Sequence, residues 1–225
     1  MSTMTAYPPI LVVDMETTSD HRTNAGIVEI GALWLEPTHR GNAPLAFEMK
    51  CRPHPDAADV QFRAMEVNGC DWLDDPTVAS EAEAIRAFAD WLRLSGQKNI
   101  VMAGQNVGQF DFTNLEAAFA RELLPFPFSI RVVDVQTLAF ANAPVHYDEP
   151  TPAGGMKSST IQAMLGLPEE PKPHRALCGA LLEAHALNEL LYMRGPAPIE
   201  YGEIEMRFFP ARGHAPLKRE LLQAP

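Results

Sequence analysis

The apolar residues of this chain change their spacing near Ser80, and that change limits the architectures open to it. Before it, three segments have strand character. Ile10-Leu11-Val12-Val13, following Pro8-Pro9, is the short β-branched run of a buried central strand that ends at Asp14. Ile27 to Leu35 is a second strand, and Leu45 to Cys51, apolar at alternate places, is a third. Short turns between them predict an antiparallel meander. After Ser80, placed to cap it, Ala84, Ile85, Phe88, Ala89, Trp91 and Leu92 share one face of an amphipathic helix. Ile100 to Gly104 then reads as a strand, Asn114 to Leu124 as a helix and Arg131 to Asp134 as a fifth strand. Strand, helix, strand, helix, strand implies parallel pairing through helical crossovers. The predicted class is α/β, with a mixed five-stranded sheet, three antiparallel strands then parallel ones, flanked by helices.

Asn142 to Lys157 is rich in proline and glycine and has no period, so a mobile loop is expected there. Ser158 or Ser159 should cap a short helix through Leu165, and the longest helix should run from about His174 to Met193. Beyond Gly195 the chain is Pro-rich and irregular, with one candidate edge strand at Glu200 to Phe209. The expected organisation is one domain over 1–194 and a tail, 195–225, packed on it. The 225 residues, 46% of them hydrophobic, suffice for one core. No stretch approaches the roughly 20 apolar residues of a membrane span. Met1 to Pro9 has neither the basic start nor the apolar region of a signal peptide, so the expectation is a cytoplasmic protein without a membrane partner. Cys51, Cys70 and Cys178 lie far apart, which argues against disulfides and thiolate zinc and for buried small hydrophobes.

Asp14-Met15-Glu16 follows the first strand, and alternation puts its two carboxylates on one face with Met15 on the other. Paired carboxylates at the end of a central strand suit a hard divalent cation; the pair also occurs on solvated loops. Thr17, Thr18 and Ser19 are either phosphate or sugar contacts or a polar turn. Asp111, just past the fourth strand, is a third acid, and a helix N-cap serves as its ordinary role. His174 precedes the last helix, as a polar surface residue or as a base that takes a proton from a metal-activated water.

Order and spacing together carry a resemblance. Asp14-x-Glu16-Thr17-Thr18, Ile27-Val28-Glu29-Ile30-Gly31-Ala32, Asn106-x-x-x-Phe110-Asp111, Val133-Asp134-x-x-Thr137-Leu138-Ala139 and His174-Arg175-Ala176-Leu177 resemble the DEDDh family of 3'-5' exonucleases, from about residue 9 to 193. The resemblance implies a ribonuclease H-like fold. It also implies hydrolysis of single-stranded DNA or RNA from the 3' end to nucleoside 5'-monophosphates with two Mg2+ or Mn2+ ions. By motif, Asp14, Glu16 and Asp111 would hold metal and His174 would be the general base. Met15, Thr17, Thr18 and Asn68 would contact the terminal nucleotide, with Asn68-Gly69 similar to the family's His-Gly segment, and Phe110 would pack beside the site.

One position departs. The family has aspartate five residues after the histidine, where this chain has Gly179. Losing a ligand should weaken one metal and misplace the water, and about 1 Å of misplacement can cost on the order of a hundredfold. Glu183, one helical turn further on, either reaches back to a metal or is an exposed helix glutamate. A slow nuclease with one weakly held ion is a further reading. Another is a catalytically degenerate module that binds nucleic-acid ends or nucleotides, or serves as a homodimer or partner subunit. The formal charge of −11 favours short oligonucleotides, since a long polyanion would be repelled outside the cleft.

Overall fold

Alternation in the first half becomes three strands, β1 (Ile10–Thr17), β2 (Ile27–Leu35) and β3 (Ala46–Lys50). The computed structural model describes residues 10–21, 25–35, 45–57, 61–73, 75–146 and 156–192. Two helices follow β3, α1 (Phe62–Asn68) and α2 (Glu81–Leu94). Then come β4 (Ile100–Gly104), α3 (Asp111–Arg121), β5 (Phe128–Asp134), α4 (Val135–His146), α5 (Ser158–Leu165) and α6 (Ala176–Tyr192). The sheet order is β3-β2-β1-β4-β5. β1 pairs antiparallel with β2 and parallel with β4, and β4 pairs parallel with β5, as the change of period predicts.

Two apolar layers cover the sheet. Leu11, Val13 and Met15 of β1 enter one with α2 and α3, where Phe88, Trp91, Phe119 and Phe128 pack together. Val12 enters the other, against α4, α5 and α6. The expected cap on α2 is a full capping box, with Ser80 and Glu83 each bonded to the other's backbone N–H.

Several boundaries differ from the sequence expectation. β1 does not end at Asp14; its ladder with β2 continues to Thr17 opposite Ile27, because backbone pairing carries a strand past polar side chains. α3 begins at Asp111 rather than Asn114, and Phe110 occupies its N-cap position, so Asp111 is not the cap. β5 begins at Phe128. Residues 142–146 belong to α4, which buries Ala139 and Ala143 against α6, so the expected loop starts later. The remainder of that loop, 147–155, lies outside the described residues. α1 and α4 had no periodic signal strong enough to announce them. Lys157, not a serine, is the N-cap of α5, with no side-chain bond. The tail and its candidate strand at Glu200 to Phe209 also lie outside the described residues. Among those residues no helix is long and apolar enough to cross a membrane.

Candidate active site

Alternation along β1 sends Asp14 and Glu16 to the face of Val12, toward α6. The register sets Asp14 opposite Gly31 and Glu16 opposite Glu29. Gly31 is what lets α6 approach: a Cβ there would overlap the backbone of Ala176 and Leu177. With its first turn seated on β2, α6 brings Gly179 over Asp14. A Cβ at Gly179 would overlap the Asp14 carboxylate and stand 3.5 Å from Glu170 Oε1. The space a side chain at position 179 would enter is therefore filled by the carboxylate of Asp14.

Asp111 arrives from the other side, as the first residue of α3. It is 4% exposed, and its Oδ1 has no hydrogen-bond partner. Glu183 is not an exposed helix glutamate. Its Oε1 accepts from the Gln105 backbone N–H at 3.0 Å, and its shielded Oε2 has no partner. Gly104 leaves room for that carboxylate, since a Cβ there would be 2.8 Å from the Val13 carbonyl oxygen and 3.0 Å from Glu183 Oε2.

His174 is fixed by its backbone, whose N–H donates to the Val67 carbonyl at 3.2 Å. The end of α1 comes this close because Gly69, at φ +54°, carries no Cβ to meet Pro173. Arg175 donates to the Asn68 and His174 carbonyls, both at 3.1 Å, and lies 5.0 Å from the Trp72 ring. These contacts aim His174 at the carboxylates.

Glu170 completes the group. Its Oε2 is 3.6 Å from His174 Nδ1, and Glu16, Glu170 and His174 each offer a ligand atom within 4.8 Å of the others. Sequence reasoning missed this residue. Leu167-Pro168-Glu169-Glu170-Pro171-Lys172-Pro173 has no period, so nothing in its spacing says which glutamate turns inward. Glu29, fully buried opposite Glu16, went equally unassigned.

The electrostatics follow from packing so many acids together. Burial pushes the Asp14 carboxyl up to about 7, partly opposed by the Met15 backbone N–H. Burial, then the charges of Asp14, Glu170 and Glu29, raise Glu16 to about 9. Burial and Asp14 raise Glu170 to about 8, and burial with Glu48 raises Glu29 to about 7. Asp111 and Glu183 are also raised well above the carboxylate range, by burial first and then by Asp14. Burial and Lys172 lower His174, which favours its neutral form. Groups that each disfavour their neighbours' ionisation, with oxygens left unbonded, form a donor set suited to a hard divalent cation.

The remaining candidates are nearby, in different states. Thr17 and Thr18 are buried; Thr17 Oγ1 donates to the Ser19 carbonyl, and Thr18 Oγ1 accepts from the Gly26 N–H. Asn68 is buried, its amide donating to the Thr17 carbonyl at 3.0 Å. The Met15 side chain lies in the α2/α3 core, so only its backbone faces the acids. Phe110 is half-buried at the start of α3. A cleft of about 490 Å³ opens beside the acids, lined by Glu16, Glu170, His174, Lys157, Lys172 and Gln162 among others.

Comparison with solved structures gives the same arrangement of strands and helices. Escherichia coli exonuclease I in complex with a dA16 oligonucleotide aligns at TM-score 0.64 with 16% identity, over 84% of this chain and 41% of that one. Exonuclease I from Methylocaldum szegediense aligns at TM-score 0.62 with 14% identity, over 84% and 41%. The chain thus spans about two-fifths of the length of these proteins, and the likeness fixes the ribonuclease H-like fold. No curated protein sequence matches it. The model of the 3'-5' exoribonuclease Rv2179c-like domain matches residues 10–191, which hold every acid and the histidine described above, and the chain belongs to that family.

Proposed function

We propose that the chain is a 3'-5' exonuclease acting on single-stranded nucleic acid, releasing nucleoside 5'-monophosphates. The family's description as exoribonuclease favours RNA, with short oligonucleotides suiting the acidic surface. The observation that carries the reading is the convergence of Asp14, Glu16 and His174 on one cleft, with Asp111 buried beside Asp14 and its Oδ1 left unbonded. Asp14, Glu16 and Asp111 would hold Mg2+ or Mn2+, with Glu183 beside Asp111. Bound cations supply an activated water and neutralise charge on the scissile phosphate.

The chain's own groups do the rest. His174, kept neutral by burial, accepts the proton of the attacking water. Its Nδ1 is turned to Glu170, which leaves Nε2 for that proton. The water oxygen bonds to phosphorus as the bond to the 3' oxygen of the preceding nucleotide breaks. Hydroxyls of Thr17 and Thr18 are spent within the turn, so that segment shapes the terminal-nucleotide site through its backbone.

The test is digestion of 5'-labelled single-stranded RNA and DNA in Mg2+ and in Mn2+, beside Asp14→Asn. A ladder shortening from the 3' end that disappears in Asp14→Asn is expected. Substrates bound intact by the native protein would instead make it a binding module or partner subunit.

A further inference from the structure

The family motif leaves this chain one carboxylate short at Gly179, and the three-dimensional arrangement holds a spare one. Glu170 sits on the loop before α6. Its Oε1 is shielded from solvent, has no hydrogen-bond partner, and lies 3.5 Å from where a Cβ at 179 would be. Its carboxylate also falls within ligand distance of both Glu16 and His174. We propose that Glu170 supplies the metal-binding carboxylate that position 179 lacks, an inference that rests on the exonuclease reading of this site.

Two further features point to a cation at this spot rather than to a crowd of acids alone. Asp111, 4% exposed and with an unpartnered Oδ1, stands close enough to Asp14 for the two charges to oppose each other. And the Asp14 carboxylate occupies the volume beside Gly179, where it lines one pocket together with Glu170 and Glu183. Glu183 is the less suitable replacement. One of its oxygens is committed to the Gln105 N–H, and although it lines a pocket with Asp14 and Glu170, it does not share the close group of ligand atoms formed by Glu16, Glu170 and His174. A glutamate reaching in from a loop replaces an aspartate on a helix because the longer side chain spans the extra distance.

A rival role for Glu170 is to orient His174 through the 3.6 Å contact to Nδ1. Mn2+ binding without nucleic acid, followed by the electron paramagnetic resonance signal of the free ion, separates the two. The full chain is titrated beside Asp14→Asn, Glu170→Gln, Glu170→Asp and the adjacent exposed Glu169→Gln, each checked for folding by circular dichroism. Expected are losses of affinity of about tenfold or more in Glu170→Gln and Asp14→Asn, the scale of a disturbed metal shell. Glu170→Asp, which keeps the charge and shortens the reach, should weaken binding as well, and Glu169→Gln should stay near native. Native affinity in Glu170→Gln, or a changed pH profile of cleavage with Mn2+ affinity intact, would overturn the inference and leave the active site standing. Native affinity in Asp14→Asn would sink the site assignment itself.

Discussion

This fold buries carboxylates in two places and treats them oppositely. On α2, Glu81 is buried with both oxygens bonded. Oε1 takes the Arg121 guanidinium, and Oε2 accepts from the Ile27 and His54 backbone N–H groups at 3.0 and 3.1 Å. On the α6 face, Asp111, Glu170 and Glu183 each keep an oxygen with no partner, and no Arg or Lys forms an ion pair with them among the described residues. Leaving such a group unpaired is costly, and the same chain shows how it is avoided where no chemistry is required. Of the unpaired set, Glu170 and Glu183 line a cleft with Asp14. That contrast supports the proposal that the acids beside α6 await a cation from solution.

The sharpest way to break this contrast is at Glu81. Removing its side chain in Glu81→Ala leaves the Arg121 charge half-buried and two backbone donors unbonded, at a cost of about 3–5 kcal/mol. Urea denaturation should show that loss, while the folded fraction keeps its Mn2+ affinity; equal damage to metal binding would erase the distinction between the two sites.

Gly179→Ala separates stability from function in the other direction. Alanine gains about 1 kcal/mol of helix propensity over glycine, yet its Cβ must displace the Asp14 carboxylate. Cleavage should fall by about a hundredfold if Asp14 moves by about 1 Å, with a melting temperature equal to or above native. Full activity in this variant would show that Asp14 relocates freely.

The mildest test is pH. Asp14, Glu170 and Glu16, raised to about 7, 8 and 9, hold protons in the folded chain that the unfolded chain has released. Stability of the chelator-treated protein should therefore fall as pH rises across that range. His174 and His185, lowered in the folded chain, add stability as pH rises through the unfolded value near 6.5, and that opposing contribution is complete above about pH 7.5. The expected drop between pH 7.5 and 9 is several degrees in Tm, at roughly 2–4 °C per kcal/mol for a domain this size. Mn2+ should flatten it by favouring the ionised acids. A flat profile without metal would mean that the cluster is solvated rather than buried.

Much of this was legible in the chain. The change from period two to helical spacing carried the order of strands, and Asp14-x-Glu16 needed only strand alternation to share a face. His174 was marked by its place before the last helix. Glu170 was not legible, since a proline-rich segment has no periodicity to orient it. α1 and α4 went unseen for a similar reason: one is short, and the other has weak amphipathicity because it packs between neighbours.

Local rules therefore determined which residues form strands, which face each presents, and which acids lie at the strand end, because side-chain alternation and backbone pairing act over neighbouring positions. The tertiary structure decided what stands against those acids. The seat of α6 on Gly31 put Gly179 over Asp14 and turned Glu170 inward, and that depends on how closely two backbones can approach, a distance no spacing in the sequence records.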